Sequence, residues 1–295
     1  MSMTITRRSA LALAGAALLP AAPLKLQFGF SLYGMRSLPW RDGIHHVARI
    51  GYKSTELSLR AGWNTEPRLL TKADRVEIRK RLRDTGLTLP SVMENMALGR
   101  PGGLKVNQER LRAAAEICHE CSPGPAAVME TTGGGRPDAW DQMKGTMAEE
   151  LGDWAKLAEQ LKIVIAIKPH SKLAMNRPER ALWLIGQVKS PSIKLVYDYS
   201  HYEVNALDMK QTMEQIVPHA VFAHIKDCTG PGPGSKFLLP GDGKTDYKAY
   251  VAMLTGLGYR GPVVVEVSVD VFDLPNYDPV AAATRVWERV SPAFA

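Results

Sequence analysis

Cysteine is scarce: Cys118, Cys121 and Cys228 are the only three in 295 residues. A count this small and odd supplies no disulfide framework. Cys118 and Cys121 form a CxxC that an oxidising compartment could close, but Ser122 follows where haem attachment needs His. No apolar stretch reaches the roughly 20 residues of a membrane-spanning helix. No GxGxxG turn follows the first strand-like segment, which argues against a dinucleotide-binding sheet. Nor is there a basic run interleaved with aromatics, so the net charge of +7 speaks to solubility and not to a nucleic-acid site. What is present, 45% apolar and 23% charged residues, is the composition of a folded globular chain; disorder requires less apolar content.

Residues 1–23, MSMTITRRSALALAGAALLPAAP, place Arg7 and Arg8 before an apolar stretch from Ala10 to Leu19 and a tail of small residues and prolines. That is the layout of an export signal, too short to span a bilayer. Its adjacent arginines resemble the twin-arginine signal of bacteria, and no cysteine near its end suggests a lipid anchor. The expectation is a periplasmic or secreted protein, with residues 24–295 free of the membrane once the signal is removed.

From Leu26 onward one rhythm repeats: a short apolar strand, a polar loop, an amphipathic helix. The pattern predicts strands at Leu26–Tyr33, Ser54–Leu59, Thr88–Glu94, Ala126–Thr131, Ile163–His170, Ile193–Tyr199, Ala220–Lys226 and Pro262–Ser268. Helices fill the gaps, as at Thr71–Thr85, which opens on a threonine cap and stops at Gly86. Others are Asn107–Ile117, Trp140–Leu161, Pro178–Val188, Met209–Ile216, Tyr247–Leu257 and Pro279–Val290. Runs such as IVIAI and VVVEV lack alternation, as in a parallel sheet covered on both faces. Eight such units with no second compositional regime predict an α/β fold: one domain, a single (β/α)8 TIM barrel.

In such barrels the active site lies at the C-terminal ends of the strands. Standing there are Glu56, Glu94, Glu130, Lys168, His170, Asp198, His201, His224, Lys226 and Glu266. A solvated rim explains one or two of these, but not Asp, His and Glu embedded in VYDYSH, FAHIKD and VVVEVS. Asp198, His224 and Glu266 are the donor types of a divalent cation, which could polarise a carbonyl and stabilise an enediolate. His201 and His170 would then touch substrate. Gly133–Arg136 and Gly230–Gly234 could close over the mouth. Lys226, Lys236 and Lys244 could hold an anionic group, and Trp40, Trp63 and Trp140 could stack on a sugar ring.

Several motifs stand in order: the strand near Glu56 (ARIGYKSTELSL), the Gly86-Leu87 turn, the DxxH of Asp198–His201, and the HxKD of His224–Asp227. GDGKTDY at Gly241–Tyr247 and GYRGPVVVEVS, which contains Glu266, follow. Together they resemble the xylose isomerase-like TIM barrel family, the sugar phosphate isomerase/epimerase group that also holds hydroxypyruvate isomerase, tagatose 3-epimerase and inosose dehydratase. The resemblance runs from about Leu26 to the end. It implies a divalent ion (Mn²⁺, Mg²⁺, Co²⁺ or Zn²⁺) held by a Glu on strand five, Asp on six, His on seven and Glu on eight. The two glutamates would also shuttle a proton beside a carbonyl. Asp198, His224 and Glu266 match three of these positions, and the fourth departs: strand five reads IAIKPH, with Lys168 where Glu is customary.

That lysine leaves two arrangements open. Either an ion stays and Lys168 is neutral or swings away, or the ammonium takes the ion's electrostatic place and pairs with Asp198, Glu266 or Glu130. The resemblance implies a sugar isomerase or epimerase acting on a free sugar or keto-sugar, since export disfavours cytosolic sugar phosphates. Glu266 and Lys168 would be the catalytic pair; Glu56, Glu130, His170, His201 and Lys226 would contact substrate. Alternatives are a lyase or dehydratase on a 3-keto sugar or inosose-like polyol, with Lys168 as acid or Schiff-base former, and a catalytically silent sugar-binding barrel; under any of these readings the chain could form a homo-oligomer. An endonuclease IV-like role would need a zinc cluster richer in His and Glu than this mouth.

Overall fold

The structure is a computed structural model that describes residues 25–96, 98–99 and 104–295. The expected export signal at residues 1–23 lies outside them. Ten strands occur among the described residues: β1 (Phe28–Ser31), β2 (Ser54–Ser58), β3 (Ser91–Met93), β4 (Val128–Thr132), β5 (Ile165–Lys168), β6 (Ile193–Tyr197), β7 (Ala220–Ile225), β8 (Asp227–Cys228), β9 (Phe237–Leu238) and β10 (Val263–Val265). Eight of them close a parallel barrel in the order β1-β10-β7-β6-β5-β4-β3-β2, while β8 and β9 form a small antiparallel ribbon above it. The chain is a single TIM barrel. No helix among the described residues is long and apolar enough to cross a membrane.

Local chemistry sets the element ends. The helix Lys72–Thr85 begins with a capping box: Thr71 Oγ1 accepts from Asp74 N and Asp74 Oδ2 accepts from Thr71 N, each at 3.1 Å. It ends at Gly86, whose φ of +71° is left-handed and suits glycine. The strands are shorter than the apolar runs suggest. After Ser31 the chain turns into the 3-10 segment Leu32–Met35, because the Ser31 hydroxyl accepts from Tyr33 N. Two short helices, Ser200–Glu203 and Val269–Phe272, were not foreseen; the first carries His201 to the mouth. The third helix runs on to Cys121, so the CxxC sits in its last turn, where both thiols are buried and free. Burial raises the Cys121 thiol to about 12 and pushes Cys118 further, so neither is a reactive thiolate.

Period-two alternation positions the site. Ala166, Val196, Phe222 and Val264, joined by Val128, form an apolar cluster distinct from the main core. These side chains come from adjacent strands and fill the barrel interior. Two residues further along each strand come Lys168, Asp198, His224, Glu266 and Glu130. The apolar layer is therefore the floor, and the polar residues form the next layer toward the C-terminal mouth. Ile165, Ile167, Leu195, Val263 and Val265 face outward into the main core under the helices.

Candidate active site

Two lysines organise this polar layer. Lys168 Nζ lies 3.0 Å from Glu266 Oε2, 3.1 Å from Glu130 Oε1 and 3.1 Å from His224 Nδ1. Lys226 Nζ, two residues beyond His224 on the same face of the chain, donates to Asp198 Oδ2 and, at 2.5 Å, to Glu266 Oε2. Both amines are buried, at 2% and 5% exposure. Burial favours a neutral amine at Lys168, but Glu130, Glu266 and Asp198 outweigh it and hold the ammonium well above its ordinary range.

The two glutamates beside Lys168 are pushed apart. Burial raises Glu266 less than Lys168 and Lys226 lower it, so its carboxyl sits well below the usual range. At Glu130 burial dominates and the carboxyl is raised, despite Lys168. Glu130 Oε1 is at ion-pair distance from Lys168 yet receives no hydrogen bond. One carboxylate is thus pinned and the other is poised to take a proton.

Beneath the lysines is a fixed stack. The Lys168 ammonium has only protons to offer, so His224 Nδ1 accepts, and the ring proton on Nε2 points to Glu56 Oε2 at 3.1 Å. Glu56 also accepts from the hydroxyls of Ser31 (2.6 Å) and Ser91 (2.7 Å). Burial would raise the Glu56 carboxyl; His224, Ser31 and Ser91 more than offset it. Asp198 accepts from Ser200 Oγ at 2.6 Å. His201 Nδ1 meets Ser171 Oγ at 3.2 Å, and its ring lies 4.0 Å from that of His170. Burial, then the Lys168 and Lys226 charges, depress His170 to about 3; burial, then His170 and the two lysines, depress His201 well below its ordinary value.

Above these groups opens a cavity of about 530 Å³. Glu130, Lys168, His170, His201, Lys226 and Glu266 all line it, as do Gly133, Gly134 and Gly135. Glu56 and His224 do not: both are fully buried, so Glu56, expected to contact substrate, instead orients His224. His224, expected as a metal ligand, has one ring nitrogen against Lys168 and the other against Glu56. Among the tryptophans, Trp40, Trp63 and Trp140 are buried and do not line the cavity; Trp63 stacks on Tyr33, centroids 5.0 Å apart. Tyr33 and Phe237 are the aromatic walls instead, with Arg60 donating to the Tyr33 hydroxyl at 2.9 Å. Gly230–Gly234, Lys236 and Lys244 are not among the lining residues. Sequence reasoning missed Tyr33, in the 3-10 turn after β1, Arg60, just past β2, and Phe237, in the short strand β9, none of which carries a charge-at-strand-end signal of its own, and did not foresee that Lys226 bridges two acids. The HxK spacing, which puts Lys226 on the His224 face, carried that last signal.

By donor type and spacing Asp198, His201 and Glu266 could hold a divalent ion, since one ligand atom from each lies within 4.8 Å of the others. The lysines do not fit it. Lys226 already bonds both carboxylates of that trio, and Lys168 lies against Glu266 as well. Unit charges 4 Å apart interact by about 4 kcal/mol at an effective dielectric of 20. A divalent ion would therefore face a repulsion of about 8 kcal/mol from each ammonium. Of the two arrangements left open by Lys168, the structure has the second: a charged amine paired with Glu266 and Glu130.

The sequence model for xylose isomerase-like TIM barrels matches residues 44–289. The L-ribulose-5-phosphate 3-epimerase UlaE of Salmonella paratyphi C is 22% identical over 276 residues, covering 87% of this chain and 91% of that protein. Among solved structures, the Escherichia coli 3-keto-D-glucoside 4-epimerase YcjR superposes with a TM-score of 0.69 at 16% identity, over 91% of this chain and 100% of that one. The IolI protein, solved with a zinc atom, superposes with a TM-score of 0.73 at 16% identity, over 92% of this chain and 100% of that one. At such identities the structural likeness speaks for the fold alone.

Proposed function

We propose that this chain, which belongs to the xylose isomerase-like TIM barrel family, is a sugar epimerase or isomerase that moves a proton next to the carbonyl of a free sugar or keto-sugar. The epimerases among its relatives support the class of reaction. The observation that carries the chemistry is the pair of carboxylates flanking one ammonium, Glu130 raised and Glu266 depressed.

In this reading Glu130 removes the proton from the carbon beside the carbonyl. Glu130 lines the cavity, and its buried Oε1 carries no hydrogen bond, so a lone pair is not committed to another donor. General-base catalysis of this kind contributes about 10²–10⁴ in rate. The negative charge that develops on the substrate oxygen is met by the Lys168 and Lys226 ammonium groups, which Glu266 and Asp198 hold in place before substrate arrives. His170 and His201, held neutral, bind substrate hydroxyls. Return of the proton from Glu130 to the former carbonyl carbon, with the hydroxyl proton of the enediol passing to the other oxygen, gives an isomer; protonation of the original carbon from its opposite face by a water in the cavity, with Glu130 then losing its proton to solvent, gives an epimer. A Schiff-base lyase is not favoured, because a Lys168 amine with its lone pair protonated is no nucleophile.

We further propose that residues 1–23 direct export, which places the enzyme among free sugars and not sugar phosphates. Loss of periplasmic recovery when Arg7 and Arg8 are both exchanged for Lys tests that step. The reaction itself is tested by incubating the purified protein in D₂O with D-fructose, D-allulose, L-ribulose and a 3-keto-D-glucoside and following C–H exchange by NMR. Exchange at a carbon next to the carbonyl, lost in Glu130→Gln, is expected. Binding of these sugars with no exchange in any would overturn the reading in favour of a silent sugar-binding barrel.

A further inference from the structure

We infer that two lysine ammonium groups, Lys168 and Lys226, stand in the place of a divalent ion in this site, so that its positive charge is built into the chain and independent of metal. One oxygen of each carboxylate in the possible ion-binding trio, and the neighbouring His224, are already engaged by the amines. Glu266 Oε2 takes a bond from each amine, Asp198 Oδ2 takes one from Lys226, and His224 Nδ1 takes one from Lys168. Two ammonium groups bring the same total charge as one divalent ion, divided between two points that share a single carboxylate oxygen.

The amines are not free to leave. Lys168 is closed in by Glu130, Glu266 and His224, and His224 is itself braced by Glu56. Lys226 lies against the Phe237 ring, 5.1 Å from its centroid. His201, the third member of the possible ion-binding trio, is 3.6 Å from Asp198 Oδ2. It cannot compensate for two carboxylates whose charge is already taken. Both amines line the cavity, so a substrate carbonyl oxygen can reach ammonium protons directly, where an ion would have offered a coordination position. Their role toward a carbonyl rests on the isomerase reading above; their exclusion of an ion does not.

The test is a metal titration that needs no substrate. The purified wild-type chain is incubated with Mn²⁺, Co²⁺ or Zn²⁺, dialysed and assayed by elemental mass spectrometry, with calorimetric titration of the same ions alongside. No stoichiometric ion and no site-specific heat are expected. One ion per chain, lost in Asp198→Asn, would overturn the inference. The double variant Lys168→Glu, Lys226→Met removes both ammonium groups and restores a carboxylate on β5; it should take up one ion per chain and melt at a higher temperature when Mn²⁺ is added. If it folds, by circular dichroism, and still takes none, the ammonium groups are not what excludes the ion and the inference fails. Should it not fold, Lys168→Gln with Lys226→Met carries the same two outcomes. Sugar exchange in D₂O that is unchanged by EDTA is a separate expectation, and its loss would count against metal independence without touching the assignment of Glu130.

Discussion

Lys168 Nζ stands 3.1 Å from His224 Nδ1, with both groups buried in the barrel interior. A group with only protons to give fixes the ring as an acceptor there, and its N–H is directed at Glu56. One residue on β5 thus sets the tautomer of a histidine on β7 and the role of a glutamate on β2. The resulting column, from Ser31 and Ser91 through Glu56 and His224 to Lys168, ends at Glu130 and Glu266, where the cavity begins.

Glu130→Gln removes the carboxylate with the available lone pair and keeps its shape. Turnover should fall by about 10²–10⁴, with KM changed little. Steady-state kinetics on whichever sugar shows exchange checks this. A fall confined to KM would make Glu130 a binding residue.

Lys168→Met leaves Glu130 and Glu266 facing each other in the barrel without their shared counter-charge. Removing one partner of a buried pair costs about 3–5 kcal/mol, and a loss in that range is expected in urea unfolding. Adding Glu130→Gln removes one orphaned charge, so the double variant should recover part of the loss. The coupling energy of the cycle should be about 1–3 kcal/mol; strict additivity would mean that the two side chains do not interact.

His170 and His201 make stability fall with acid. Their native values lie at about 3 and well below the ordinary range respectively, against about 6.5 in an unfolded chain. Below pH ~6.5 the unfolded state therefore binds protons that the native state refuses, and stability is lost as pH drops. The groups facing the two rings are Lys168 and Lys226, which oppose protonation, and Asp198 and Glu266, whose charges are taken up by those lysines. Each histidine contributes up to about 1.4 kcal/mol per pH unit, less for His170, which keeps some exposure at the mouth. His170→Asn should flatten the stability slope between roughly pH 6.5 and 4.5, above the carboxylate range; an unchanged slope would show that the ring is protonated in the native state.

Asp227 ties the loop after β9 to the barrel. Fully buried, it accepts from Gly241 N, Gly243 N and the Tyr247 hydroxyl, each at 2.8 Å. Asp227→Ala strands three donors, and a loss of about 3–5 kcal/mol is expected, given roughly 1–3 kcal/mol for each unsatisfied buried group. Gly243→Ala should also destabilise, since its Cβ would come within 2.7 Å of Asp227 Cβ. Calorimetric melting temperatures of both variants check the pair.

The inward-facing polar residues could be read in the sequence because alternation is a local property. Once Ala166, Val196 and Val264 are buried, Lys168, Asp198 and Glu266 must share their face two residues on. Helix ends such as Thr71 and Gly86 were legible for the same reason, since a cap is satisfied within a few residues. The depth of each side chain was not. Glu56 and His224 carry the same strand-end signature as Glu130 and Glu266, yet they lie beneath the cavity. Trp40, Trp63 and Trp140 sit near the loops in sequence but bury against helices and against Tyr33.

By itself the sequence determined a parallel (β/α)8 barrel and the set of charged residues inside it, because strand period and chain order need only neighbouring residues to be specified. Only the tertiary structure decided which charges meet. Barrel closure brings β10 beside β1 and β7 and sets how far each long side chain reaches across the interior. The shared hold of Lys168 and Lys226 on one oxygen of Glu266 is a product of that three-dimensional closure, with partners 98 and 40 residues apart in the chain.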